Sequence, residues 1–349
     1  MAKPELRDFK HMAVVQTAFL GDVVLAMPLV QVIKNNYPDI KISFVSTPLA
    51  TGISSTIKAV DGIIAYDKRG IRRGLDGIKF IASYLREKKV DCIISSHRSL
   101  RTSLMTFYAK PKYSVGFNNS ALSFAYKKRV KYVKSVHEIE RNLNLLKAFA
   151  DYETLNLDYK DIPIEIPEED KSYVESLLVA KGLEGKTIIA VAPGSVWETK
   201  KWKEKHFVKL VGMLIDAGLS PVVVGSEADS ELCIRIASNS GAISLAGMFT
   251  LPQFIYFLTL TSLTITNDSS PTHFAGLVDC PTVTLFGPTS PVFGFAPWSS
   301  KSLSLGLDEL KCRPCEIHGG RKCPIGTHEC MENLKPEFVF EKAMSLLNG

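Results

Sequence analysis

A chain of 349 residues with 42 Lys and Arg, 36 Asp and Glu, a formal charge of +6, and 46% hydrophobic residues has a globular balance, which excludes a disordered or fibrous protein. The length calls for two hydrophobic cores, no run approaches the roughly 20 apolar residues of a membrane span, and the opening MAKPELRDFKH has no apolar signal region, so the sequence predicts a two-domain cytoplasmic protein. A pI near 8.8 is too mild to imply DNA binding and fits an anionic small substrate or an anionic membrane surface.

In chain order, β-branched runs at 13–16 (AVVQ), 42–45 (ISFV), 63–66 (IIAY) and 92–95 (CIIS) predict strands. Each precedes a helix-like stretch, the clearest at 75–89 with Ile78, Ile81, Ala82 and Leu85 on one face. The pattern loosens over 111–134, which holds the basic run KKRVKYVK, and a helix with Ile139, Leu143, Leu146 and Phe149 follows. Residues 151–170 are acidic, contain two prolines and lack a sustained period, so they read as a linker between domains at 1–165 and 166–349. The second half restarts with strands at 188–192, 221–224, 263–266 and 282–286, helices at 207–217 and 252–260, and a final helix near 336–348. The fold class is therefore α/β, with two doubly wound parallel sheets.

Ligands of such sheets bind beyond the carboxyl ends of strands, and four loops there have unusual composition. In TAFLGDVVLAMP, Gly21 permits a sharp turn and Asp22 lies at a helix start, either as a cap or as a general base for a hydroxyl. PGSVWETKKW offers Gly, Ser195 and the paired Lys200 and Lys201 to a phosphate. Glu227, after the strand PVVV, is placed to bind ribose hydroxyls. In TNDSSPTHFAG, Asp268, Ser269 and Ser270 precede Pro271 at a helix start, so N–H donors and hydroxyls surround an anion site, while His273 faces either ligand or core. Walker, G-x-G-x-x-G and G-x-S-x-G fingerprints are absent.

FLGDVVLAMPLV, PGSxxxxKKW, NDSSPTHFAG and LFGPTSP, in that order over nearly the whole chain, resemble the bacterial lipopolysaccharide heptosyltransferases of glycosyltransferase family 9. The PGS start and NDS triplet are more similar to the enzyme that adds the second heptose than to the one that adds the first. The resemblance implies a GT-B architecture of two Rossmann-like domains facing across a cleft. The N-terminal domain would bind a phosphorylated lipid A-core acceptor, and the C-terminal domain ADP-heptose. It implies an inverting transfer with no required metal or cofactor, Asp22 as base, and Ser195, Lys200 or Lys201, Glu227, Asp268, Ser269, Ser270, Pro271 and His273 on the donor. It further implies peripheral contact with the cytoplasmic face of the inner membrane. A phosphorylated acceptor calls for basic residues in the first domain, and Lys68, Arg69, Arg72 and Arg73 follow the third strand while His97, Arg98 and Arg101 follow the fourth. Of these, Arg69, Arg72, Arg73, Arg98 and Arg101 are the acceptor candidates. A related glycosyltransferase with another nucleotide sugar is the alternative within enzymes.

Four of the seven cysteines, Cys312, Cys315, Cys323 and Cys330, crowd near the end of the chain. They suffice for a four-thiolate zinc site, although the second pair is spaced more widely than in a zinc ribbon. Reduced thiols and a disulfide formed on purification are the other readings, and the sequence places the cluster outside the transfer chemistry. With the positive charge, the cluster also motivates a different class of protein, a zinc-bearing nucleic-acid or protein-interaction module, which leaves the rest of the chain unexplained.

Overall fold

A computed structural model describes residues 3–71 and 73–349. The chain divides into two compact units, the first ending at Glu165 and the second beginning at Ile166.

The first unit is built on β1 (His11–Val15), β2 (Lys41–Ser46), β3 (Gly62–Ala65), β4 (Cys92–Ser95), β5 (Tyr113–Phe117) and β6 (Lys128–Val130). Their order is β3-β2-β1-β4-β5-β6 and every pair is parallel. β1 is buried along its whole length, as a central strand covered on both faces must be. One face packs Val15, Val45 and Ile93 against Ile78, Ile81, Ala82 and Leu85 of the helix Gly74–Glu87. Each such side chain contributes roughly 1.5–3 kcal/mol on full burial, which is why the 3.6-residue period alone locates this helix.

The second unit repeats the plan with β7 (Ile188–Ala192), β8 (Ser220–Val223), β9 (Ile243–Ser244), β10 (Leu263–Asn267), β11 (Thr282–Leu285) and β12 (Ser302–Leu305). Their order is β12-β11-β10-β7-β8-β9, again all parallel. Its core joins Ile189, Val191, Ile265 and Val283 to Phe207, Leu210 and Leu214, and the last helix, Pro336–Asn348, closes it with Val339 and Ala343. Each sheet reverses its strand order beside its first strand, between β1 and β4 and between β7 and β10. That switch point opens a crevice at the strands' carboxyl ends.

Four strands escape the sequence pattern. β5 (YSVGF) and β6 (KRV) occupy the stretch read as irregular, β9 has two residues, and β12 (SLSL) alternates serine with leucine. β6, β9 and β12 are edge strands, where short length and polar side chains discourage pairing with other chains and also erase the apolar run. The 151–170 stretch is ordered rather than a free linker: Ile164 bridges Ile57, Tyr37 donates to Asp151 at 2.6 Å, and the helix Glu168–Ala180 starts within it.

Candidate functional site

In the first unit, β1 ends at the switch point and the chain turns into the short helix Leu20–Val24. Asp22 Oδ2 accepts the Phe19 N–H at 3.1 Å, so the capping role is met in the structure. Thr17 joins the loops after β1, β3 and β4: its Oγ1 lies 2.9 Å from His97 Nδ1, and its carbonyl accepts from Lys68 Nζ. Burial, helped by Arg69 and Arg101 and opposed by Asp22, lowers the Lys68 ammonium below its ordinary range. Burial, together with Lys68, Arg98 and Arg101, pushes His97 down to about 4. His97 is therefore neutral at pH 7 and contributes no charge to the basic group in which the sequence places it. Arg69, Arg73, Arg98 and Arg101 are exposed, with Arg73 preceding the helix Gly74–Glu87, and Arg72 lies outside the described residues.

Arg98 is held differently from the others. Its guanidinium lies 4.0 Å from the centre of the Tyr132 ring, and Arg141 lies 5.1 Å from the same ring. Arg141 in turn pairs with Glu138 at 2.5 Å, with side chains 2% and 8% exposed, and donates to the carbonyls of Val133 and Lys134. Burial pushes Glu138 up to about 7 against the opposing pull of Arg141, and Asp22 adds to the rise. Asn142, on the same helix, donates to the Leu25 carbonyl at 2.9 Å and so fixes this helix to the segment that carries Asp22. The sequence reading passed over Glu138 and Arg141; their i,i+3 spacing was visible, but it reads as an ordinary surface pair.

In the second unit the loops after β7, β10 and β11 meet. Lys200 Nζ lies 2.7 Å from Asp268 Oδ2, with side chains 12% and 6% exposed, and Thr289 Oγ1 donates to that same oxygen at 2.6 Å. Asn267 bridges the loops, accepting from the Trp202 N–H at 3.1 Å and donating to the Pro193 carbonyl at 2.7 Å. Lys201 turns elsewhere: it pairs with the exposed Glu198 at 2.5 Å and lines a cavity of about 600 Å³ with Trp202, Arg321 and Lys322. The 3₁₀ turn Glu198–Lys200 sends the two lysines in different directions. Asp268 is thus the carboxylate that holds Lys200, and Thr289, which the sequence showed only as part of a turn, completes the arrangement.

Ser269 stands at the N-cap position of the helix Ser270–Leu277 with its hydroxyl donating to the Asn267 carbonyl at 3.3 Å rather than capping, and Pro271 lies in the first turn where no N–H is needed. Ser269 and Ser270 are half-buried there, while His273 is buried with its ring 6.3 Å from Phe295. Ser195 Oγ accepts the Trp197 N–H at 3.3 Å. Glu227 is exposed on the turn Glu227–Asp229, whose Asp229 carboxylate receives Ser226 N–H and O–H at 3.0 and 2.6 Å. A Cβ on Gly194 would stand 2.5 Å from that carboxylate, so the glycine of PGS lets the two loops close on each other.

The cysteine-rich segment, which the sequence places outside the transfer chemistry, is bonded to these loops. Thr199 exchanges bonds with Gly320 at 3.1 and 2.8 Å, His328 Nε2 lies 2.7 Å from the Thr199 carbonyl, and Cys315 N–H donates to Pro288 at 2.8 Å. All seven cysteines are free thiols. Cys312, Cys315, Cys323 and Cys330 line one small cavity with Thr199 and His328. Burial works to raise the Cys323 thiol, but the main-chain N–H groups of His328, Ile325, Gly326 and Thr327 around it bring it below the usual range. Among the described residues, no three His, Cys, Asp or Glu side chains already converge as a metal cage.

The model of "Glycosyltransferase family 9 (heptosyltransferase)" matches residues 79–323. A lipooligosaccharide heptosyltransferase 2 of Campylobacter jejuni is 26% identical, covering 95% of this chain and 96% of its own length. Among solved structures, a family 9 glycosyl transferase of Veillonella parvula superposes with a TM-score of 0.88 at 22% identity, over 99% of both chains. The Escherichia coli ADP-heptose lps heptosyltransferase II gives 0.78 at 22% identity, over 97% of this chain and 98% of that one. These likenesses place the fold in the GT-B class, two Rossmann-like units of parallel sheet.

Proposed function

The chain belongs to glycosyltransferase family 9, the heptosyltransferases, and is a glycosyltransferase; from that premise we propose that it moves heptose from ADP-heptose to the lipopolysaccharide inner core, adding the second heptose to the first. The observation that carries the donor half is the buried Lys200–Asp268–Thr289 group beside the start of the helix Ser270–Leu277, at the sheet's switch point. An ammonium and helix N–H groups there stabilise a diphosphate as it leaves. Ser195, Ser269 and Ser270 add hydroxyls and main-chain donors, Pro271 starts the helix, His273 lines it, and Glu227 takes the ribose. Lys201, on Glu198, is the alternative phosphate lysine.

In the first unit, 1–165, Asp22 takes the proton of the acceptor hydroxyl, and Arg69, Arg72, Arg73, Arg98 and Arg101 hold acceptor phosphates. The freed oxygen forms a bond to the anomeric carbon from the face opposite the diphosphate. The carbon–oxygen bond to ADP breaks with its electron pair leaving on ADP, which inverts the configuration. No step passes through a metal ion. The second unit, 166–349, holds the donor. No helix among the described residues is long and apolar enough to cross a membrane. The reading places the protein at the cytoplasmic face of the inner membrane through peripheral contact by its basic residues.

The test is ADP release from ADP-heptose in the presence of a heptose-bearing core acceptor, with Asp22→Asn as the variant. The variant is expected to bind ADP as the parent does and to turn over at least about 100-fold more slowly, the lower end of what a general base supplies. Full activity in Asp22→Asn removes the carboxylate from the mechanism. A panel of other nucleotide sugars scored by thermal stabilisation identifies a different donor, because a ligand bound only by the native state raises Tm.

A further inference from the structure

In the first unit the loops after β4 and β6 meet over one aromatic ring. Tyr132, just beyond β6, is half-buried; its ring packs at right angles to the buried Phe117 of β5 with 5.2 Å between centres, and its N–H donates to Asn118 Oδ1 at 3.0 Å. The ring is thus fixed to the sheet through both its side chain and its main chain. Two guanidinium groups lie over it, Arg98 at 4.0 Å and Arg141 at 5.1 Å. Attraction to a ring face holds a guanidinium without consuming the N–H donors in its plane.

The two cations on this ring are used differently. Arg141 is 2% exposed and commits Nε to the Val133 carbonyl, Nη1 to Glu138 and Nη2 to the Lys134 carbonyl. Arg98 is exposed, and among the described residues its side chain makes neither an ion pair nor a hydrogen bond. Its main chain is anchored, because its carbonyl accepts the Ala121 N–H at 3.0 Å. A carboxylate neighbour would have occupied the donors of Arg98, whereas the ring leaves them open to fork onto an anion. Arg69, Arg73 and Arg101, also exposed, have no ring against them among the described residues.

We propose that Tyr132 is a positioning residue that holds Arg98 as the cation selecting a phosphorylated acceptor over an unphosphorylated one. Arg141, paired with Glu138, keeps the loop of that ring in place. The ligand class is a sugar phosphomonoester, since a planar fork matches two oxygens of one phosphate. An unsupported arginine loses rotamer freedom when it grips an anion. A stacked one has lost much of that freedom in the folded protein already, so binding tightens without a new contact. This inference rests on the reading of the first unit as the acceptor side, and names the residue that sets discrimination within it.

Initial rates are measured with ADP-heptose and the heptose-bearing core acceptor, with its phosphates and after phosphatase treatment, for the parent, Arg98→Ala, Tyr132→Leu and Tyr132→Phe. The ratio of the two kcat/KM values on one preparation does not depend on the fraction folded. In Tyr132→Leu it is expected to fall about 3- to 30-fold, through a higher KM for the phosphorylated acceptor at unchanged kcat. Tyr132→Phe keeps the ring and is expected to stay within about twofold of the parent, and Arg98→Ala/Tyr132→Leu to lose no more than Arg98→Ala. A ratio that Arg98→Ala lowers and Tyr132→Leu leaves unchanged overturns the proposal, as does one that Arg98→Ala leaves unchanged. The stacking is read without substrate by NMR. The Arg98 Nε–H resonance, assigned by its loss in Arg98→Ala, is expected to carry a ring-current shift in the parent and in Tyr132→Phe, and none in Tyr132→Leu. An unshifted resonance in the parent overturns the proposal. A shifted one in a chain that transfers to neither acceptor leaves the positioning of Arg98 standing and overturns the acceptor reading instead.

Discussion

Replacing Lys200 with methionine separates the two lysines that the sequence leaves tied. Lys200 is 12% exposed and sits 2.7 Å from a carboxylate that is 6% exposed, so its removal strands a buried charge. Breaking such a pair from one side costs about 3–5 kcal/mol; because Thr289 still donates to Asp268, about 3 kcal/mol is the expectation. For a unit of this size, that lowers Tm by about 6–12 °C. Donor binding loses one charge-assisted contact of about 1.5–3 kcal/mol, which is roughly 10- to 150-fold in the Kd for ADP. Lys201→Met breaks only an exposed pair with Glu198, worth under about 1 kcal/mol, and leaves the Kd within about fivefold. Calorimetric titration with ADP and thermal melts read both quantities. The double variant Lys200→Met/Asp268→Asn removes both charges, so it recovers part of the Tm while ADP binding stays weak. The assignment fails if Lys201→Met, rather than Lys200→Met, abolishes ADP binding.

His97, neutral in the fold with its pKa near 4, binds fewer protons than in the unfolded chain between about pH 4 and 6.5. Its contribution is fully present above pH 6.5 and is lost as pH falls through that window, about 3 kcal/mol in all, so His97→Gln is expected to flatten the acid side of the Tm–pH curve. Gly194→Ala places a methyl group against the Asp229 carboxylate, which two bonds to Ser226 hold in place; the overpacking is expected to cost about 1–3 kcal/mol and to weaken ADP binding, read by melts and titration.

What could be read from the chain follows from which interactions are local. The loops that carry Asp22, Ser195, Glu227 and Asp268 were legible because each follows a β-branched run and opens with glycine or a capping residue, and parallel sheets place such ends at the switch point. The direction of Lys200 was not, because it depends on one 3₁₀ turn within an aperiodic loop. Thr289 was hidden for a related reason: its partner Asp268 lies 21 residues away, and no local pattern announces that bond. The cysteine segment was visible as composition, but its attachment to Thr199 and Pro288 is made by main-chain groups, which the residue types do not encode.

Burial edits the charge pattern around Asp22 in both directions. It pushes His97 down and so removes a cation, and it pushes Glu138 up to about 7 and so leaves much of an anion protonated at neutral pH. The two shifts oppose each other in stability. Glu138 binds more protons in the fold than out of it between about pH 4.5 and 7, so its penalty is relieved on acidification over nearly the window in which His97 loses its contribution. The opposed shifts partly offset each other, so the parent protein is less acid-sensitive than the His97 shift alone would make it. The offset also separates stability from chemistry. Between pH 6 and 7 the two titrations act on stability in opposite directions while Glu138, whose charge acts on Asp22, is titrating. A pH dependence of turnover in that range, at constant Tm, therefore reports the charge beside the base rather than unfolding.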